Sequence, residues 1–252
     1  MLTMSSTVLR NKDYMKLTTV LFDLDGTLLP MDQEEFTKKY MQLLCRRFVP
    51  LGYDQEKLVK SVWHGLKAMV TNRTDKTNEI VFWDCFQKEY GSNVMEDQNL
   101  FYDFYLNDFQ EAAEICHPTS EAKKAIDRLH DMGLKTVVAT LPAFPRTAII
   151  SRIRWTGLSE SDFEYITSYE NCTRCKPDAA FYSELLEHIG RMPEECIMVG
   201  NNVDEDMIAE SIGIQGFLMP ECLINEHGKD ISTYPQGDFI DLVTYIEKRL
   251  LL

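Results

Sequence analysis

Two aspartates separated by one residue, Asp23 and Asp25, close an apolar run, Val20-Leu21-Phe22, and are followed at once by Gly26 and Thr27. Alternate residues of a strand share a face, so a strand over residues 17–22 that persists to Asp25 aims both carboxylates the same way. Two carboxylates at the end of a buried strand repel one another and resist desolvation unless a cation or a shared proton offsets the cost. Gly26 lets the chain turn sharply away behind them. An isolated Asp-Gly pair reads as a surface turn. An apolar strand running into Asp-Leu-Asp-Gly-Thr reads instead as a site that handles charge.

This segment resembles the first motif of the haloacid dehalogenase-like (HAD) hydrolase superfamily. The resemblance implies that Asp23 attacks phosphorus to form an aspartyl-phosphate, while Asp25 protonates the leaving group and later activates water. Both roles follow general rules: a carboxylate nucleophile divides one hard displacement into two, and a neighbouring carboxyl serves as acid and then as base. Thr140 follows the β-forming run Lys135-Thr136-Val137-Val138-Ala139, where the superfamily has a Ser or Thr hydroxyl that binds a phosphoryl oxygen. Leu141-Pro142 comes next instead of the usual Asn or small residue, which leaves only the Leu141 N–H to assist. Lys176-Pro177-Asp178 resembles the third motif, with the Lys176 ammonium stabilising charge on the transferring group. Pro177 then suits a first helical turn.

Gly200-Asn201-Asn202, with Asp206 further on, resembles the fourth motif, whose acidic residues hold Mg²⁺. Asn201 stands at the first acidic position with an uncharged amide oxygen, and Asp206 keeps the second. Mg²⁺ takes about six oxygens and often only one or two carboxylates. The resemblance therefore implies catalytic residues Asp23, Asp25, Thr140 and Lys176, and a Mg²⁺ site of Asp23, the Asp25 carbonyl, Asn201 and Asp206. Asp204 and Glu205 are nearby spare acids for such a site, and read in the first place as first-turn helix acids that complement the dipole.

The elements that must position these residues follow from periodicity. Strands are expected at residues 17–22, 134–139, 163–167, 196–199 and 214–219, separated by helix-sized stretches at 120–132, 145–155, 178–189 and 204–212, with a last helix at 239–250. That alternation predicts an α/β fold with a doubly wound parallel sheet, Rossmann-like, whose sites lie beyond the carboxyl ends of the strands. Between residues 32 and 113 the pattern is helical throughout. Asp32 suits an N-cap, and Phe36, Tyr40, Leu43, Leu44 and Phe48 recur at helical spacing. Further helices are expected at 54–70, 76–90 and 97–113, with an aromatic concentration (Phe82, Trp83, Phe86, Phe101, Phe104) that reads as bundle core. The expected organisation is a core domain of residues 1–30 and 114–252 with a small inserted α-helical cap, 31–113, of the superfamily's C1 type. Within the cap, Arg46, Arg47, Asn72, Arg73 and Asn78 are candidates to face the cleft, as is Arg146 beyond it.

Composition bounds the rest. With 252 residues and 44% apolar content the chain can build one large domain or two moderate ones. A net charge of −14 argues against nucleic acid or an anionic membrane as partner. No apolar run has membrane-spanning length, and residues 1–15 read as a loose leader without a signal-peptide pattern. Seven cysteines in this context suggest reduced thiols and a cytoplasmic location. Cys172 and Cys175 form a single Cys-x-x-Cys, read either as a redox or metal pair or as two loop cysteines. Cys45, Cys85, Cys116, Cys196 and Cys222 read as core filler. The expected activity is Mg²⁺-dependent hydrolysis of a small phosphorylated metabolite by a monomer or small homo-oligomer. The alternatives are a phosphomutase, a phosphonate hydrolase using a cap lysine (Lys38, Lys39, Lys57, Lys60 or Lys67), and a non-catalytic phospholigand-binding protein. Asp25 argues against a dehalogenase, which needs no such leaving-group acid.

Overall fold

A computed structural model describes residues 17–251, so the expected leader at 1–15 lies outside the described residues. Five parallel strands form one sheet: β1 (Thr19–Phe22), β2 (Lys135–Val138), β3 (Tyr165–Ile166), β4 (Cys196–Gly200) and β5 (Gln215–Leu218), in the order β3-β2-β1-β4-β5. Between β1 and β2 run α1 (Gln33–Phe48), α2 (Gln55–Val70), α3 (Asn78–Tyr90), α4 (Gln98–Leu106) and α5 (Ser120–Asp131). Then come α6 (Arg146–Trp155), α7 (Ala179–Ile189) and α8 (Phe239–Leu250). The fold is an α/β core with a helical cap.

Period-two alternation in β1 explains the double winding. Val20 and Phe22 enter a core with Ile126 of α5, Ile149 of α6 and Leu242 of α8. Leu21 points to the opposite face, against Phe181 and Leu185 of α7. The chain places β2 on one side of β1 and β4 on the other, which makes the carboxyl ends of β1 and β4 the switch point where such sheets form crevices.

The helices start where their caps allow. The Asp32 side chain accepts from the Glu35 N–H and the Asp54 side chain from the Lys57 N–H, satisfying orphan donors at the first turns of α1 and α2. Phe36, Tyr40, Leu43, Leu44 and Phe48 form the buried stripe of α1, as their spacing predicts. Phe48 stacks on Phe101 of α4 at 4.1 Å, and Tyr40 meets Phe144, beyond β2, edge-on at 5.3 Å. The apolar core thus runs from the sheet into the helices above it.

Three elements depart from expectation. The stretch 97–113 breaks at Asn107, whose amide bonds the Asp103 carbonyl and carboxylate, and continues as a 3₁₀ segment, Asp108–Ile115. The expected helix at 204–212 is a 3₁₀ segment, Met207–Ile212, preceded by turns. There the Asn202 side chain accepts from the N–H groups of Asp204 and Glu205 and holds the backbone in an Asx turn. Asp204 and Glu205 are therefore not first-turn helix acids. Pro177 precedes the α7 N-cap, Asp178, instead of entering its first turn.

One buried residue ties the helical layer to the core. Asn78, the first residue of α3, donates through Nδ2 to the Arg174 carbonyl (3.2 Å) and to Cys175 Sγ (3.3 Å), and its own N–H bonds the Cys172 carbonyl at 2.8 Å. Asn72 donates to Asn78 Oδ1 at 3.2 Å, so the amide is engaged at both ends. Truncating a buried, fully bonded amide strands its partners. Asn78→Ala should cost about 2 kcal/mol and lower Tm by about 4–8 °C in a chain of this size, measured by thermal unfolding.

Candidate active site

Asp23 follows β1 directly, its N–H bonded to the Val199 carbonyl of β4 at 2.9 Å. The backbone then turns through Gly26 at φ +86°, closed by Leu29 N–H to Leu24 carbonyl and Gly26 N–H to Leu29 carbonyl bonds, both 2.8 Å. A Cβ on Gly26 would lie 2.4 Å from Asn201 Nδ2, so glycine is required for close approach as well as for conformation. Across that contact Thr27 Oγ1 donates to Asn201 Oδ1 at 2.9 Å, and Asn201 Nδ2 donates to the Cys222 carbonyl at 2.6 Å. The amide at the first acidic position thus accepts at one end and donates at the other.

Lys176 is fully buried. Its Nζ lies 3.0 Å from Asp23 Oδ1 and 2.5 Å from Asp206 Oδ1. Burial opposes its charge, but the Asp206 and Asp23 carboxylates outweigh that and hold its pKa well above the usual lysine value. Asp206 is also fixed from the other side, its Oδ2 accepting from the Asn202 N–H at 2.9 Å. Its carboxylate lies so close to Gly200 that a Cβ there would sit 2.1 Å from Oδ2. Three segments far apart in the chain therefore converge on one ammonium.

Asp25 has a partner that its motif does not announce. Arg152 of α6, the largest fully buried side chain among the described residues, forms an ion pair with Asp25 Oδ2 through Nη1. Its guanidinium stacks over the Phe144 ring at 4.4 Å. Asp25 Oδ1 is buried and has no hydrogen bond among the described residues. Burial raises the Asp25 pKa, Arg152 pulls it down, and Asp23 adds to the rise. The sequence signal for Arg152 is its spacing, four residues after Ala148 and three after Ile149, which sets an arginine beside two buried apolar positions of its helix.

Asp23, Asp25 and Thr140 line a cavity of about 570 Å³ between the strand ends and helices α1 to α4, together with Asn202 and Glu205. Lys176, Asn201 and Asp206 lie buried behind its floor. The sequence candidates for the cleft end elsewhere. Arg46 pairs with Glu111 (2.6 Å), Arg47 with Asp103 (2.9 Å), Arg73 with Asp178 (3.1 Å) and Arg146 with Glu160, while Asn72 and Asn78 build the amide tie described above. None of the five cap lysines lines the cavity. Cys172 and Cys175 are buried thiols whose pKa burial pushes up, that of Cys175 to about 12, which makes them poor thiolates. Among the described residues no group of three or more His, Cys, Asp or Glu residues is placed to hold a metal ion. Of the other cysteines, Cys116 and Cys196 are buried, whereas Cys45, Cys85 and Cys222 are only partly so.

Substitutions at two positions probe this network. Arg152→Leu leaves the Asp25 carboxylate buried and unpaired, and should cost about 3–5 kcal/mol in urea unfolding, with Arg152→Lys recovering part of the loss. Without the guanidinium, the folded-state pKa of Asp25 rises further above its unfolded value, so protonation favours the folded form at low pH. The deficit of Arg152→Leu should therefore grow from pH 5 to pH 8. Asn201→Asp sets a carboxylate oxygen against the Cys222 carbonyl and should destabilise by about 1–3 kcal/mol in the same assay.

Comparison with known proteins identifies the family and the fold. A sequence model of the haloacid dehalogenase-like hydrolases matches residues 17–210. The pyrophosphatase PpaX of Bacillus pumilus is 24% identical over 236 residues, which cover 90% of this chain and 96% of the relative. The magnesium-bound crystal structure of the HAD-hydrolase YfnB from Bacillus subtilis is similar with a TM-score of 0.56 at 19% identity, covering 92% of this chain and 99% of that one. The L-2-haloacid dehalogenase of Xanthobacter autotrophicus is similar with a TM-score of 0.55 at 16% identity, covering 92% and 98%. At these identities the structural likeness is one of fold alone. A family match that begins just before the strand carrying Asp23 and ends beyond Asp206 makes this chain a member of the haloacid dehalogenase-like hydrolases.

Proposed function

We propose that this hydrolase is a Mg²⁺-dependent phosphohydrolase that cleaves a small phosphate monoester through an aspartyl-phosphate on Asp23. The observation that carries the reading is the pair of carboxylates at the cavity floor, one tied to a buried cation and the other keeping a buried, unbonded oxygen. With Oδ1 held by Lys176, Asp23 has Oδ2 free of hydrogen bonds among the described residues to attack phosphorus. The bond from phosphorus to the leaving oxygen breaks, and Asp25 passes its proton to that oxygen. In the second half Asp25 takes a proton from water, the water oxygen attacks phosphorus, and phosphate leaves with Asp23 restored as carboxylate. Burial, which holds the Asp25 pKa above the ordinary carboxylate value, suits the acid half, and the opposing Arg152 suits the base half. Lys176 offsets charge on the phosphoryl oxygens, and Thr140 presents its hydroxyl to one of them from the cavity wall.

The donors present suit a Mg²⁺-type cation, which often takes only one or two carboxylates: Asp23 and Asp206 would supply two. The donors are hard oxygens: Asp23, the Asp25 carbonyl, Asn201 and Asp206. When bound, Mg²⁺ would supply electrophilic stabilisation of the phosphoryl oxygens. In this reading residues 31–113 act as a cap over a core of 1–30 and 114–252, excluding water from the site. The name of the PpaX relatives supports phosphoryl chemistry, and the absence of a lysine from the described cavity lining weighs against a Schiff-base phosphonate hydrolase.

The test is phosphate release from a panel of monoesters with and without Mg²⁺. Release should require the metal, and Asp23→Asn should lower kcat/KM by about 10³-fold or more, whereas Asp25→Asn should cost about 10²–10⁴-fold. Mg²⁺ with beryllium fluoride should raise the Tm of wild type but not of Asp23→Ala. Metal-independent release, or release that survives in Asp23→Asn, would remove the mechanism.

A further inference from the structure

We infer that the cavity takes a phosphate monoester whose leaving group is aromatic, carries no second anion, and is favoured by a positive charge. This rests on the phosphohydrolase reading and adds the substrate class to it. Away from Asp23 and Asp25 the greater part of the wall is apolar and aromatic, drawn from all four helices above the strand ends (Phe36, Val62, Phe82, Trp83 and Phe101) with Tyr169 from the core, and its polar groups are three glutamates and a few uncharged side chains such as Gln33 and Asn99. Trp63 and Tyr102 line the cavity too, and both are substantially exposed, 45% and 55%, which puts aromatic edges at its mouth. A volume of about 570 Å³ has room for a ring and its substituents beyond the phosphoryl group.

The charge of the lining is one-sided. Its ionisable acids are Asp23, Asp25, Glu79, Glu170 and Glu205, and it contains no Lys, Arg or His among the described residues. The cations of the helical layer that could have met a second anion are spent on its outer surface, Arg46 on Glu111 and Arg47 on Asp103. Glu170 is partly satisfied, since both its oxygens accept from the Arg146 N–H at the start of α6, at 2.9 and 3.0 Å. Glu79 and Glu205 have no side-chain hydrogen bond or ion pair among the described residues. Burial and the nearby Glu170 raise the Glu79 pKa, as expected for a carboxyl that lacks a cation. A pyrophosphate or a sugar bisphosphate would put its second phosphoryl group among these acids with nothing to neutralise it. An ammonium on an aromatic leaving group would supply the cation that Glu79 lacks and pack its ring against Phe82 and Trp83.

The experiment compares three aryl phosphates of one scaffold, bearing in the para position an aminoethyl, an ethyl or a carboxyethyl group, with inorganic pyrophosphate alongside. Turnover is measured on wild type at low ionic strength, and binding of the intact esters on Asp23→Asn by calorimetry, so that recognition is read apart from chemistry. Expected is the order aminoethyl, ethyl, carboxyethyl, with about 5-fold per step in kcat/KM and Kd, and pyrophosphate last. Glu79→Gln should collapse the aminoethyl-to-ethyl ratio, and Trp83→Ala should weaken all three aryl esters by about 10-fold. Turnover with no preference, or with the carboxyethyl ester or pyrophosphate ahead, overturns the inference and leaves the phosphohydrolase standing. No turnover, with the expected order of binding to Asp23→Asn, upholds the inference and removes the phosphohydrolase. Neither turnover nor binding of any ester overturns both.

Discussion

The structure depends on one buried ammonium. Lys176 has no exposure to solvent that could hydrate its charge, and an isolated ammonium in such a place would lose its proton or unfold its surroundings. It is tolerated because Asp23 from the end of β1 and Asp206 from the loop after β4 both reach it. The constraint acts in both directions. Neither carboxylate is stable at that depth without the cation, so the β1, β3–α7 and β4 loops are held to a common point. Gly26 and Gly200 are where the packing around that point leaves no room for a side chain.

A second buried pair extends the arrangement. Arg152 joins α6 to the Asp25 loop and, through its stacking on Phe144, to the aromatic layer that includes Tyr40. The amides of Asn72 and Asn78 bind the start of α3 to the loop carrying Cys175 and Lys176, while Arg174 Nη1 reaches the Thr74 carbonyl at 2.7 Å. The helices that wall the cavity are thereby tied through hydrogen bonds to the loop that places its cation. Shape and charge of the cavity are consequences of the same packing: the helices contribute their apolar stripes inward, and their arginines pair with acids on the far side.

How much of this was legible in the chain differs by level. The strands, the helices and the alternation that makes a doubly wound sheet follow from local periodicity, because β1 and α1 read correctly without knowledge of their neighbours. Expectation failed where a side chain competes with the backbone. Asn107 and Asn202 each bond nearby main chain and turn an expected α-helix into 3₁₀ segments and turns. The arginines expected at the cleft failed for another reason. A surface-type residue near a helix break carries no record of which acid elsewhere in the chain it will meet.

The sequence by itself carried the paired carboxylates Asp23 and Asp25, the strand ends read from periodicity and, through resemblance to the family's motifs, the candidates Thr140, Lys176, Asn201 and Asp206, since motifs and periodicity are local properties. Tertiary structure alone decided that Arg152 would face Asp25, that Asn201 would be bound at both ends of its amide, and that Glu79, Glu170 and Glu205 would share a cavity with aromatic walls. Those are contacts between residues tens to more than a hundred positions apart. Their energies arise from desolvation and pairing in a packed interior, and neither exists until the chain has folded.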